Sequence, residues 1–171
     1  LVEKGYALLS LARYKEAIGV FERVCKLSPL NQGHWTLLST AYKLNKDFNK
    51  YVGLCDYSRF ICAKPLIDDL STNERFTTEV LQYLSKLHNN ERHPLGQSLR
   101  NGSQTFENLL DAPNNTMRHL KSAIIENAVK FVKTLPSQKK HPLLSRLNDK
   151  LEVVGSWSVR LRQAGFHESH Y

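Results

Sequence analysis

The sequence predicts an α+β protein, and three observations predict it. Residues 1–53 carry helical patterns whose layout recurs after a shift of 34 positions. Two further amphipathic patterns follow, near residues 71–87 and 116–135. Segments that read as strands lie around them, the clearest being the alternating run from Val153 to Arg162.

The first pattern runs from Gly5 to Ala12, and a second from Glu16 to Val24 is closed by Ser28-Pro29. Small residues at Gly5 and Ala17 permit close approach of two antiparallel helices, and Phe21 fills the space between them. Proline beyond the second helix prevents its continuation. With the shift of 34, Leu1 maps to Trp35, Gly5 to Ser39 and Leu8 to Tyr42. The second copy then departs, with Tyr51 in place of Ala17 and Cys55 in place of Phe21. One unit is therefore expected over 1–53 and another over 54–171.

The second unit is expected to open on a strand, Tyr57–Ala63, rich in aromatic and β-branched residues and stopped by Lys64-Pro65. Ser71 and Glu74 form a capping box for a helix whose apolar face is Phe76, Val80, Leu84 and Leu87. His88 to Pro94 reads as a loop. In Leu95–Phe106, Asn101-Gly102 can close a turn between two short extended pieces. A longer helix from Thr116 to Leu135, capped by Asn115 or Thr116 and stopped by Pro136, carries Met117, Leu120, Ile124, Ala128, Phe131 and Leu135 on one face. In the last strand Trp157, Val159 and Leu161 face one way, and Ser156, Ser158, Arg160 and Arg162 the other. Trp157 and Phe106 are expected in the core. A glycine turn at Gly165 then leads to His167 and His170.

Composition narrows the function. The 171 residues are 41% hydrophobic and 23% charged, as in an ordinary globular protein. No apolar run approaches the roughly 20 residues that span a bilayer, so no membrane partner is expected. The net charge of +8 comes from scattered basic residues, 24 against 16 acidic ones, without the clustered stripe and interleaved aromatics of a nucleic-acid surface. Cys25, Cys55 and Cys62 form no CxxC pair; Cys25 is expected as a buried thiol, and a reducing, cytoplasmic setting follows. The first residues have neither the basic nor the apolar region of a signal peptide and read as the interior of a longer protein. GxxxxGK[ST], GxGxxG, HExxH and GxSxG are all missing.

The 34-residue layout resembles the tetratricopeptide repeat, matched best at Gly5, Ala17, Phe21 and Pro29. Behind it come Cys55–Phe60, His93–Thr105, Ser156–Leu161, Gly165–His167 and His170, in that order. Together these segments resemble the 2-oxoglutarate/Fe(II) oxygenases that follow such repeats in many bacterial proteins. The resemblance covers roughly residues 50 to 171, and it is the ordered set that carries it.

That resemblance implies the N-terminal part of a double-stranded β-helix (jelly-roll) domain with flanking helices. It implies Fe(II) held by two histidines and a carboxylate, with 2-oxoglutarate as co-substrate. His170 and His167 are the candidate iron ligands; the alternative is hydrogen-bonded or solvated histidines at a strand end. Gln97, Arg100, Gln104 and Thr105 lie in a segment the resemblance marks out. Arg100 and Gln104 are the candidate co-substrate residues, since a guanidinium clamps a carboxylate bidentately. The alternative for Arg100 is pairing with a nearby acid. Glu168 reads as exposed rather than coordinating. No histidine is followed two residues later by Asp or Glu, so the usual ligand pair is incomplete and the segment alone is expected to be inactive.

The repeats imply a concave face for a protein or peptide partner. The competing reading is a repeat-based interaction scaffold with no chemistry. A jelly roll with only part of its strands exposes unpaired edges. The 171-residue chain is therefore predicted to be poorly soluble or dimeric, and a clean monomer by light scattering would contradict this.

Overall fold

A computed structural model describes residues 1–88, 98–106, 108–148 and 150–168. Seven α-helices and two strands are formed among these residues. In chain order they are α1 (Val2–Ser10), α2 (Tyr14–Leu27), α3 (Gln32–Leu44), α4 (Phe48–Leu54), α5 (Tyr57–Phe60), α6 (Leu70–Leu87), β1 (Leu99–Gln104), α7 (Asn115–Val132) and β2 (Val159–His167). The chain divides into two compact units: Leu1–Ala63 with Val132–Asn148, and Lys64–Phe131 with Asp149–Tyr171.

In the first unit α1 packs on α2, α2 on α3, and α3 on α4. Leu8, Ala17, Ile18, Phe21, Cys25, Leu38, Ala41 and Tyr42 form one buried cluster. Phe21 is fully enclosed because Gly5 has no side chain; a Cβ on Gly5 would stand 2.4 Å from the Phe21 ring. Burial pushes the Cys25 thiol up to about 11, with a smaller contribution from Glu22, so it stays protonated and inert. The Tyr42 hydroxyl donates to Glu22 Oε1 at 2.8 Å, and Lys50 lies 5.1 Å over the Tyr42 ring. Asn31 caps α3 by accepting from the His34 amide.

The expected strand at Tyr57–Ala63 is not formed. Asp56 accepts from the Arg59 amide and from the Ser58 hydroxyl, and this cap turns Tyr57–Phe60 into one helical turn. Beyond it Ile61 is extended without a strand partner, and Cys62 is exposed. An aromatic and β-branched run reports a preference for a pleated surface, and here no neighbouring strand supplies one.

The second unit contains α6, α7 and the two strands. Helix α6 starts one residue ahead of the expected capping box, because Asp69 accepts from the Thr72 amide at 2.8 Å while Ser71 donates to the same carboxylate. These bonds hold the Asp69 carboxyl below its ordinary pKa. Phe76 is buried and packs against the His119 ring at 4.6 Å. Helix α7 is capped by Asn114, which accepts from the Met117 amide, and it ends at Val132, three residues short of the expected stop. Asn127 donates to the Leu66 carbonyl.

Strands β1 and β2 pair antiparallel, from Leu99 opposite His167 to Gln104 opposite Val159. The expected turn at Asn101-Gly102 lies instead inside β1, opposite a bulge carried by β2. The register steps from Arg100–Phe166 to Gly102–Leu161, so Asn101 stands against four residues, 162–165. Asn101 takes φ 51° and donates from Nδ2 to the Gln163 carbonyl. The expected glycine turn at Gly165 lies within β2. Ala164 takes the positive φ, and a Cβ on Gly165 would stand 2.4 Å from the Asn101 carbonyl.

The two-stranded sheet is the whole β content of the described residues; mixed helix and antiparallel sheet is the class they define. The expectation that Trp157 and Phe106 lie in the core is overturned: they are 61% and 76% exposed, and Leu161 is also exposed. Alternation fixes which side chains share a pleat face, but burial needs a layer on top of it. The expected loop over 89–94 lies outside the described residues.

Phe21→Ala is predicted to destabilise the first unit by about 3–5 kcal/mol, the usual cost of emptying an enclosed aromatic site. Urea unfolding followed by circular dichroism measures it, and a loss under about 1 kcal/mol would contradict the role given to that ring.

Candidate functional site

The candidate residues collect along the β1–β2 ribbon, at two separate ends. At one end β1 begins and β2 finishes. Ser98 Oγ meets His167 Nδ1 at 3.1 Å, and the Ser98 carbonyl accepts from the Glu168 amide. Arg100 holds Glu168 through both of its fork nitrogens, Nε to Oε1 at 3.0 Å and Nη2 to Oε2 at 2.8 Å. Register explains this meeting: Leu99 faces His167, so the residues on either side of that pair cross the ribbon together. The Arg100 side chain is 36% exposed and that of Glu168 51% exposed, so solvent screening leaves the pair worth at most about 1 kcal/mol.

Arg100 is thus engaged by an acid of its own chain. Any carboxylate ligand would have to displace Glu168 from it. His167 stands at the strand end, exposed, with Nδ1 turned to a serine hydroxyl. Ligation through Nδ1 would break that contact. His170, the other candidate metal ligand, and Gln97 lie outside the described residues. Among the described residues no three His, Cys, Asp or Glu side chains converge to hold a metal ion. The described residues alone therefore do not fit a two-histidine, one-carboxylate centre.

The opposite end of the ribbon holds an arrangement that sequence spacing gives no reason to expect. His88, at the C-cap of α6, meets Ser103 Oγ of β1 through Nδ1 at 2.8 Å. It meets Ser158 Oγ, just ahead of β2, through Nε2 at 2.9 Å. One imidazole thereby joins a helix end to both strands. Thr105 completes the junction: its amide donates to the Ser158 carbonyl, and its Oγ1 accepts from the Ser158 amide. Burial lowers the His88 pKa from its ordinary 6.5, and the nearby Arg160 charge lowers it further.

Beside this junction is a cavity of about 300 Å³. Gln104 lines it, together with Tyr83, Ser103 and Thr105, while Leu87 and Leu109 supply apolar wall. Gln104 and Arg100 thus fall at different ends of the same strand, and the structure does not bring them into one site. The polar wall of hydroxyls and amides suits a neutral or hydrogen-bonding ligand better than a carboxylate. The only cue to His88 in the sequence is its place after the last apolar residue of α6; its serine partners lie 15 and 70 positions away.

No protein-family model, curated protein or solved structure matches this chain. The described residues define an α+β protein with a helical unit and a helix-plus-ribbon unit, and no helix is long and apolar enough to cross a membrane.

A histidine with its folded pKa below its unfolded value takes up its proton more readily in the unfolded chain. Its contribution to stability is present above pH 6.5 and is lost as the pH falls below that. His141 is shifted the same way, so the native protein is predicted to lose stability between about pH 7 and about pH 5. His88→Asn is predicted to lose less over that interval; an equal loss in both proteins, read by urea unfolding at each pH, would contradict the assignment.

Proposed function

We propose that the chain is part of a 2-oxoglutarate/Fe(II)-dependent oxygenase of the hydroxylase type, carried behind tetratricopeptide-type repeats. The observation that carries the reading is the pairing of motif segments. The stretch containing Arg100 to Thr105 and the stretch from Ser156 to His167 are about 60 residues apart in sequence, yet they form one antiparallel ribbon. Those are the segments by which the sequence resembles this family. The helical packing around Phe21 supports the repeat part in the same way, since Gly5, Ala17 and Phe21 meet there.

In this reading the ribbon forms one wall of the enzyme's core, and ferrous iron, when bound, supplies the oxygen chemistry. The candidate iron ligands are His170, which lies outside the described residues, and His167. Arg100 and Gln104 contribute a guanidinium and an amide to the wall, Arg100 once Glu168 releases it. The repeats bind a protein or peptide. The competing reading, a scaffold without chemistry, draws on the Arg100–Glu168 pair, in which the guanidinium already has its carboxylate.

The test is succinate formation from 2-oxoglutarate by the protein in the longest form its gene encodes. Turnover is expected to require Fe(II), to be suppressed by chelation and to fall at least tenfold in His170→Ala, about 1.4 kcal/mol or more at the transition state. Iron-independent or absent turnover would overturn the enzymatic reading and leave the scaffold.

A further inference from the structure

Division into units gathers a charge that looks scattered along the sequence. Leu1–Ala63 with Val132–Asn148 holds thirteen Lys and Arg against five Asp and Glu, a net charge of +8. Lys64–Phe131 with Asp149–Tyr171 holds eleven of each and is neutral. The whole surplus therefore sits on the helical unit. Four of that unit's five acids are already engaged, Glu16 by Arg13, Glu22 and Asp47 by Lys50, and Asp56 by Arg59. The other ten cations are all exposed, and among the described residues none of them has a carboxylate within ion-pair distance.

Helix α2 brings three of these cations together. Its buried residues, Ala17, Ile18, Phe21, Val24 and Cys25, define one face. At about 100° per residue, Lys15, Arg23 and Lys26 fall within about 80° of one another on the opposite side. All three are exposed, and they span about 16 Å along the axis. Two acids border this sector, and both are occupied. Arg13 holds Glu16 through two bonds of 2.7 Å, while Glu22 accepts from the Tyr42 hydroxyl and lies 3.8 Å from Lys50.

Gly19 stands in the middle of the same stripe, exposed and inside the helix. A glycine there weakens a helix relative to alanine, because it surrenders the most backbone freedom on folding. At Gly5 that loss has an internal reason, the room needed by the Phe21 ring. At Gly19 an added Cβ would meet nothing within 4 Å, so no contact within this chain requires the missing side chain. The result is a gap in the side-chain layer, with Lys15 and Arg23 about one helical turn away on either side.

Charge complementarity calls for an acidic partner, and two features select a polypeptide over a nucleic acid. The stripe offers no aromatic ring on which a base could stack, since Phe21 is buried and Tyr14 falls outside the sector. Beside Lys26, at the helix end, Leu27 is 66% exposed, a surface that an aliphatic side chain would cover and a phosphate backbone would leave wet.

We infer that the solvent face of α2 docks an acidic segment of a protein partner. Carboxylates of that segment pair with Lys15, Arg23 and Lys26, its backbone lies close against Gly19, and an aliphatic side chain covers Leu27. The surplus charge of the whole unit draws such a segment in, and salt screens that attraction. The inference concerns one helix face and stands apart from the oxygenase reading.

The test uses the full chain and a fluorescein-labelled peptide of about sixteen residues, a repeat of Glu-Ala-Leu-Glu that covers the stripe as a helix. Saturable binding by fluorescence anisotropy is expected at low salt, with a Kd below about 100 μM. Lys15→Glu with Arg23→Glu is expected to weaken it at least about tenfold. Lys133→Glu with Lys139→Glu makes the same change of net charge elsewhere in the unit and is expected to weaken it less than about threefold. Gly19→Gln separates docking from folding. A better helix former is expected to raise the melting temperature of the free protein, read by circular dichroism, while peptide affinity falls about fivefold or more. A peptide with serine in place of leucine is expected to bind more weakly, and an oligouridylate of equal charge more weakly still. Binding that does not saturate, equal losses in the two double variants, unchanged affinity in Gly19→Gln, equal binding of the serine peptide, or oligouridylate binding as tight as the peptide's would each overturn the inference.

Discussion

The pairing of β1 with β2 is the constraint on which the second unit depends. The two strands are separated by more than fifty residues, and closing so long a connection is an entropic cost that the ribbon's own hydrogen bonds offset only in part. The rest comes from groups that cross it. His88 ties the end of α6 to both strands, Thr105 and Ser158 exchange two hydrogen bonds, and Ser156 receives the amides of Leu109 and Leu110. The polar junction stands where a larger sheet would have placed a hydrophobic layer. A two-stranded ribbon is marginal alone, and here its side chains bind it to a helix.

The helical half of the molecule was legible in the sequence because helix signals are local. The apolar spacing of α1 and α2 marks their buried faces, and Gly5, Ala17 and Phe21 mark the close contact, whereas of the faces expected on α6 and α7 only Phe76 and Met117 are buried. Their starts were less legible. Asp69 captures the N-terminus of α6 from Ser71, and Asn114 captures that of α7, because a carboxylate or amide one or two residues upstream outcompetes the next capping residue. The same chemistry at Asp56 converts an apparent strand into a helical turn.

The candidate site was legible only in part. Alternation reached only the start of the last strand, since the expected Val153–Arg162 overlaps β2 only from Val159 to Arg162, and the partner strand, the bulge in β2 and the facing of Leu99 by His167 are non-local. Arg100 was read with both of its fates, co-substrate clamp or ion pair, and the geometry gives it Glu168. Trp157 and Phe106 were expected inside because large aromatics usually are, whereas burial depends on what covers a face. His88 and the buried His141 were hidden for a related reason: an isolated histidine reveals nothing until its neighbours in space are known.

The bulge has a consequence of its own. Asn101 and Ala164 both adopt left-handed backbone on opposed strands, and Gly165 gives the Asn101 carbonyl room that no other residue would. Sliding one strand past the other would strand those three residues in conformations the new neighbours could not accept. The ribbon therefore has a single keyed alignment, and whatever its two rows of side chains face, they face it in one phase only.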